Sequence, residues 1–191
     1  APILALYFTS AWCDDSQVSH EPVLEVTKKQ QNLVAAEKSD DDKDYCHQHD
    51  VDLVYVSSDT STQELEGNLE DGWNFLPFEQ EELRSNIKRH FGICAKKEME
   101  TLGITSDDRK GGIPTLILID TKTGKVLHSD AIPHVMGDTK VECPLTHWKS
   151  LVEAAESSTD TNNGSKTGRA DENDKSTHEE NDAKKQKVEE K

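Results

Sequence analysis

Three short stretches of the chain concentrate apolar and aromatic side chains at strand length. Ile3–Thr9 is an almost continuous apolar run with a Tyr and a Phe, the pattern of a strand buried on both faces. Val51–Ser57 reads the same way, and Thr115–Ile119, introduced by Pro114, is the third. Asp120-Thr121-Lys122-Thr123-Gly124 is turn chemistry, and Lys125–Ser129 then alternates, so these last two segments predict an antiparallel hairpin. Helical spacing accounts for most of the rest. Asp14–Glu37 carries sparse apolar positions (Val18, Val23, Leu24, Val26, Leu33 and Val34) and a Pro22 that predicts a kink. Lys38–Asp50 is an acidic loop. Thr62–Leu69 is a short helix with Asp59/Ser61 as cap signal and Glu64 three residues after Ser61. Glu79–Phe91 places Leu83, Ile87 and Phe91 at helical spacing and stops at Gly92. Thr146–Ala155 closes the series as an amphipathic helix with Trp148, Leu151 and Val152.

The predicted order is β-α-β-α-α-β-β-α. A right-handed crossover makes the first two strands parallel, and the hairpin adds antiparallel ones. The expected fold is α/β, a three-layer α/β/α sandwich on a mixed sheet.

Composition changes this picture at one end. Of 191 residues, 32% are hydrophobic and 31% charged, a balance typical of a partly disordered chain. The polar excess sits after Ser157, where only Ala170, Ala183 and Val188 are apolar. Too little can be buried there to offset ordering entropy, so residues 1–156 are expected to form the domain and 157–191 a disordered charged tail. The net charge is −16, and the tail's nine acids and seven bases contribute −2 of it. The folded part is therefore the acidic one. That argues against nucleic acid and against an anionic membrane surface as partners. The longest apolar run, Ile3–Phe8, is far short of a membrane span. No charged segment precedes a long apolar stretch, so no signal peptide is visible; the chain opens on Ala1 rather than Met, as a fragment would. Lys184-Lys185-Gln186-Lys187 fits a minimal nuclear-localisation pattern, but such short basic matches are common and a solvated polar tail is the favoured reading. Four widely spaced cysteines, Cys13, Cys46, Cys94 and Cys143, are not a disulfide framework, which favours a reducing compartment, cytoplasm or nucleus.

The candidate chemistry lies at the end of the first strand, in Ala11-Trp12-Cys13-Asp14-Asp15-Ser16. A Cys at a strand-to-helix junction meets unpaired N–H groups and the positive end of the helix dipole, and both favour thiolate. This placement resembles the thioredoxin superfamily, and further segments resemble its nucleoredoxin and tryparedoxin branch. These are Leu6–Cys13, Val54–Asp59, Trp73 with Leu76-Pro77-Phe78, Gly112-Ile113-Pro114-Thr115-Leu116, and Thr123-Gly124-Lys125-Val126, in the family's order. The resemblance implies a thioredoxin-like fold and thiol–disulfide oxidoreductase activity with no cofactor and no metal. It implies Cys13 as nucleophile and Ser16 at the position of the second cysteine. It further implies that Trp12, Ile113 and a cis Pro114 shape the substrate groove, and that the partners are protein disulfides or small thiols.

Three departures qualify the activity. Ser16 cannot attack a mixed disulfide, so the centre is at best monothiol. Asp14 and Asp15 suit the helix dipole but oppose a neighbouring thiolate, each by about 3 kcal/mol at ~5 Å and an effective dielectric near ~20, before screening. An insertion of about seventeen residues, Cys94 to Lys110, stands where close relatives have almost none, and within it Lys96–Leu102 looks helical. The resemblance implies that it emerges beside the active site, which makes Cys94 a candidate resolving thiol. Cys46, His47 and His49 offer zinc donors, but three local ligands in an acidic loop read more simply as solvated surface. Cys143 reads as a small buried hydrophobe ahead of Trp148. Two functions stand at this stage: a monothiol oxidoreductase, and a redox-inactive thioredoxin-fold module that binds partners through the same groove.

Overall fold

The computed structural model describes residues 1–36 and 50–160, with side chains for 1–28 and 50–157. Five strands form one sheet: β1 (Ile3–Thr9), β2 (Val51–Ser57), β3 (Asn74–Phe75), β4 (Thr115–Asp120) and β5 (Val126–His128), in the order β3-β2-β1-β4-β5. β1 runs parallel to β2, with Tyr7 opposite Tyr55, and antiparallel to β4, with Tyr7 opposite Leu116. β4 and β5 are the predicted hairpin. The helices are α1 (Asp14–Ala36), α2 (Thr62–Gly67), α3 (Glu81–Phe91), α4 (Met99–Leu102), α5 (Ile132–Met136) and α6 (Pro144–Asp160), with a 3-10 turn, Lys96–Glu98, leading into α4.

Alternation along β1 divides the interior. Ile3, Ala5 and Tyr7 point to one face, where Val23, Leu24 and Val26 of α1 and Trp148 of α6 cover them. Leu6 and Phe8 point to the other, against Val56, Ile117 and the Ile87/Phe91 flank of α3. Both faces of the central strand are therefore dry, which is why its sequence reads as a continuous apolar run. A smaller cluster joins Cys94, Leu102, Ile104 and Met99 inside the insertion.

Several expectations need correction. β3 and α5 were not predicted. α6 starts two residues earlier and continues to Asp160, across the expected boundary at 156/157. Cys143 is exposed, not buried; the apolar positions that follow it, Leu145 and Trp148, fill the core instead. On α3 the inward face is led by Arg84 and Lys88, while Leu83 is exposed. The Ser61 cap is present, its hydroxyl accepting from Glu64 N–H at 3.2 Å. Cys46, His47 and His49, and the tail from residue 161 with its basic motif, lie outside the described residues.

Gly92 joins α3 to the insertion. It adopts φ +68°, and a Cβ there would come within 2.5 Å of the Asp108 carbonyl oxygen. Its own carbonyl accepts from Lys110 and Gly111 N–H, and Cys94 N–H reaches back to Gly111. The two ends of the insertion thus close on each other as a stem.

Candidate functional site

Cys13 stands between β1 and α1, and its carbonyl accepts the first helical bond, from Gln17 N–H at 3.0 Å. The N–H groups of the following turn have no carbonyl ahead of them, which sets the thiol at the positive end of the helix. Cys13 is half-buried, and its Sγ donates to the Ile113 carbonyl across 3.8 Å. The Ile113–Pro114 peptide is cis. Cys13 and the proline loop, a hundred residues apart in sequence, therefore face each other. Asp14 and Asp15 are exposed to solvent.

Ser16 is completely buried below this surface, and its hydroxyl has no hydrogen-bond partner among the described residues. Its carbonyl accepts from Ser19 at 3.0 Å and from Tyr7 at 3.4 Å, and the Tyr7 hydroxyl also meets Ser19 at 2.8 Å. Burial pushes the Tyr7 phenol above its ordinary range. A core tyrosine of β1 thus fixes the first turn of α1 and with it the position of Cys13.

The approach to the thiol is held by Asp59, at the end of β2. Its carboxylate accepts from Ala11 N–H at 2.7 Å, from the Ser57 hydroxyl at 2.7 Å and from Tyr55 at 3.1 Å. Trp12 is 37% exposed, and its indole N–H donates to the Ser58 carbonyl at 2.8 Å. Lys97 places its Nζ 3.4 Å from the centre of that indole, so the insertion covers the residue before Cys13. Glu98 anchors it there. One carboxylate oxygen receives the Lys88 ammonium; the other accepts from the Ser58 hydroxyl and from Ala95 N–H, both at 2.8 Å. Lys88 is buried, and desolvation lowers its pKa from the ordinary lysine value, with Glu98 opposing the shift.

Cys94 is fully buried with Met99, Leu102 and Ile104. Burial pushes its thiol up, and the charge of Glu98 adds to the effect. Its carbonyl is capped by Arg109 Nε at 3.2 Å. That environment suits a packing residue rather than an accessible thiol. Sequence reasoning took Asp59 only as a helix-cap signal and missed Arg84, Lys88, Lys97 and Glu98. The signal for two of them was present: Arg84, Ile87, Lys88 and Phe91 follow i, i+3, i+4, i+7 spacing, which puts cations on the inward stripe of α3.

Among the described residues no group of His, Cys, Asp or Glu is arranged to hold a metal, and no helix is long and apolar enough to cross a membrane. The Thioredoxin-like family matches residues 2–126. This chain belongs to that family. Native tryparedoxin I from Crithidia fasciculata superimposes with a TM-score of 0.50 at 20% identity, over 73% of this chain and 76% of that one. Tryparedoxin from Trypanosoma brucei gives 0.49 at 22% identity, over 72% and 74%. Tryparedoxin II complexed with glutathionylspermidine gives 0.49 at 19% identity, over 73% and 76%. At such identities the likeness is one of fold. No curated protein matches the chain. Membership makes the thioredoxin-like architecture, a mixed five-stranded sheet flanked by helices, a family property.

Proposed function

We propose that this thioredoxin-like protein carries out monothiol thiol–disulfide exchange through Cys13. The observation that supports it most is the half-buried Cys13 Sγ at the start of α1, facing the Ile113 carbonyl. Cys13 thiolate attacks one sulfur of a substrate disulfide, the S–S bond breaks, and the other half departs as a thiolate. The Cys13–substrate bond is then broken by a second, low-mass thiol, which takes over the bound half as a new disulfide and returns Cys13 as thiolate. Ser16 lies behind the nucleophile without a part in electron transfer. Trp12, Ile113 and Pro114 line the approach, and protein disulfides or small thiols are the substrate class. Residues 1–156 form the working domain in this reading, in the reducing cytoplasm or nucleus.

Ser16 also favours a second reading, a partner-binding module that performs no exchange. Mild oxidation in the presence of small thiols, followed by mass spectrometry, separates the two. The exchange reading expects an adduct at Cys13 that dithiothreitol reverses; a Cys13 that stays unmodified while the fold is intact leaves the binding module.

A further inference from the structure

A cleft of about 380 Å³ opens beside Trp12, between the end of β2, α3 and the insertion. Ser58 and Lys97, which both contact Trp12, are part of its lining, together with Arg84 and Lys88. Arg84 and Lys88 are more than nine-tenths buried, at 8% and 4% exposure. Buried cations in a polar cleft are costly unless something answers their charge.

The acids of the cleft are largely committed. Asp59 accepts from Ala11, Ser57 and Tyr55, and Glu98 accepts from Lys88, Ser58 and Ala95. Glu81 is at the exposed rim, and Glu64 faces Lys97 from outside. Arg84 uses only Nη1, which donates to the Pro77 and Phe78 carbonyls, while its guanidinium stacks 4.5 Å from the Phe78 ring centre. Its Nε and Nη2 donors make no hydrogen bond among the described residues. A stacked guanidinium with an unused pair of donors, in a cleft of this volume, matches the fork geometry of a carboxylate.

We propose that this cleft holds a carboxylate of a low-mass disulfide substrate, with Arg84 and Lys97 as its recognition residues and the substrate sulfur at Cys13. The proposal rests on the exchange reading and names its substrate class. The exchange step is unchanged: one half of the anionic disulfide bonds to Cys13 Sγ, and the other leaves as a thiolate. The overall charge of −16 repels such a substrate at long range, so the selection is local and salt-sensitive at exposed Lys97. The cations belong to α3 and the insertion, so the preference is a property that the insertion completes.

Two measurements test this separately from the exchange reading. The first follows Cys13 adduct formation by intact mass with three small disulfides: dithiodipropionate (anionic), hydroxyethyl disulfide (neutral) and cystamine (cationic). The anionic-to-neutral rate ratio is expected to fall about threefold or more in Lys97→Gln. Arg84→Lys, which keeps the charge and loses the fork, should also lower it. A ratio equal in parent and variants, or cystamine as the preferred reagent, overturns the proposal. The second measurement needs no thiol chemistry. Glutarate is titrated into isotope-labelled Cys13→Ser protein, and the Trp12 indole N–H signal is followed. Saturable movement that weakens in Lys97→Gln supports the cleft even if Cys13 proves unreactive, in which case only the exchange reading falls. An unmoved signal overturns the cleft.

Discussion

Lys97 covers the indole of Trp12, with its ammonium nitrogen 3.4 Å from the ring centre. The residue before Cys13 is thereby shared between two elements. Its N–H is bound to the end of β2, and its face is bound to the insertion. An exposed cation–π contact contributes about 0.5–1 kcal/mol, enough to bias an indole rotamer without locking it.

In the exchange reading, Ser16 limits turnover. With dithiothreitol as reductant, the protein should reduce insulin no faster than a Cys13→Ala control, because no second thiol follows in the motif. Ser16→Cys replaces a hydroxyl that makes no hydrogen bond, so no polar partner is lost, and insulin turnover should appear. A turbidity assay reads both. Rapid turnover by the parent protein would refute the monothiol assignment.

The paired aspartates should slow the thiol. Because both are exposed, their effect is far below the unscreened Coulomb figure, at about 0.5 kcal/mol each. Asp14→Asn/Asp15→Asn should raise the iodoacetamide rate at Cys13 several-fold at low salt and by less at high salt. Equal rates at both salt concentrations would mean that the carboxylates do not act on Cys13.

The Lys88–Glu98 pair should be costly to break from one side. Glu98→Gln leaves a buried ammonium without its counter-charge, a loss of about 3 kcal/mol, at the low end for such pairs because Glu98 is one-fifth exposed. Urea denaturation gives the value. Lys88→Met/Glu98→Met should recover part of it, since neither charge then needs an answer.

Cys94 should be silent. In native protein, maleimide should label Cys13 and exposed Cys143, and reach Cys94 only on unfolding. Mild oxidation should yield no Cys13–Cys94 peptide. Cys94→Ser sets a hydroxyl among Met99, Leu102 and Ile104, and should cost about 1–3 kcal/mol. Detection of the linked peptide would restore Cys94 as a resolving thiol.

A histidine should make stability fall in acid. His134 is buried, and its Nδ1 accepts from the Trp148 indole N–H at 3.1 Å. Burial holds its pKa below the ordinary imidazole value; His128 and His147, with ring centres at 4.4 and 5.0 Å, push the same way, and Asp130 opposes them. Between the lowered folded value and the ordinary unfolded one, the unfolded chain binds more protons. Stability therefore rises with pH through that window and drops as pH falls through it. Tm measured from pH 7 down to pH 5 should decline, and decline less in His134→Gln, whose amide oxygen still accepts from Trp148. Equal slopes would exclude His134 as the source.

What the sequence revealed divides by distance along the chain. The strands β1, β2 and β4 were legible because a strand covered on both faces must be apolar throughout. The caps at Ser61 and Gly92 were legible because they are local. Asn74–Phe75 is too short to show a period, and Ile132–Met136 carries a Pro that reads as a breaker. Cys13 and Ser16 could be read from one contiguous motif. The fixation of the insertion could not: it joins Ser58, Lys88 and Glu98 from three separate elements, and nothing local marks Glu98 as different from the many other acids. The inward packing of Cys94 was equally hidden, because it depends on Leu102 and Ile104, which lie on the far side of a turn.

Both outer strands are very short, two residues in β3 and three in β5. A lateral strand lends its neighbours a row of unpaired backbone groups, and the length of that row determines whether a second chain can zip onto it. Here neither border offers enough for a ladder, and Pro77 follows just beyond β3. A second chain would find little to pair with along either side of the sheet.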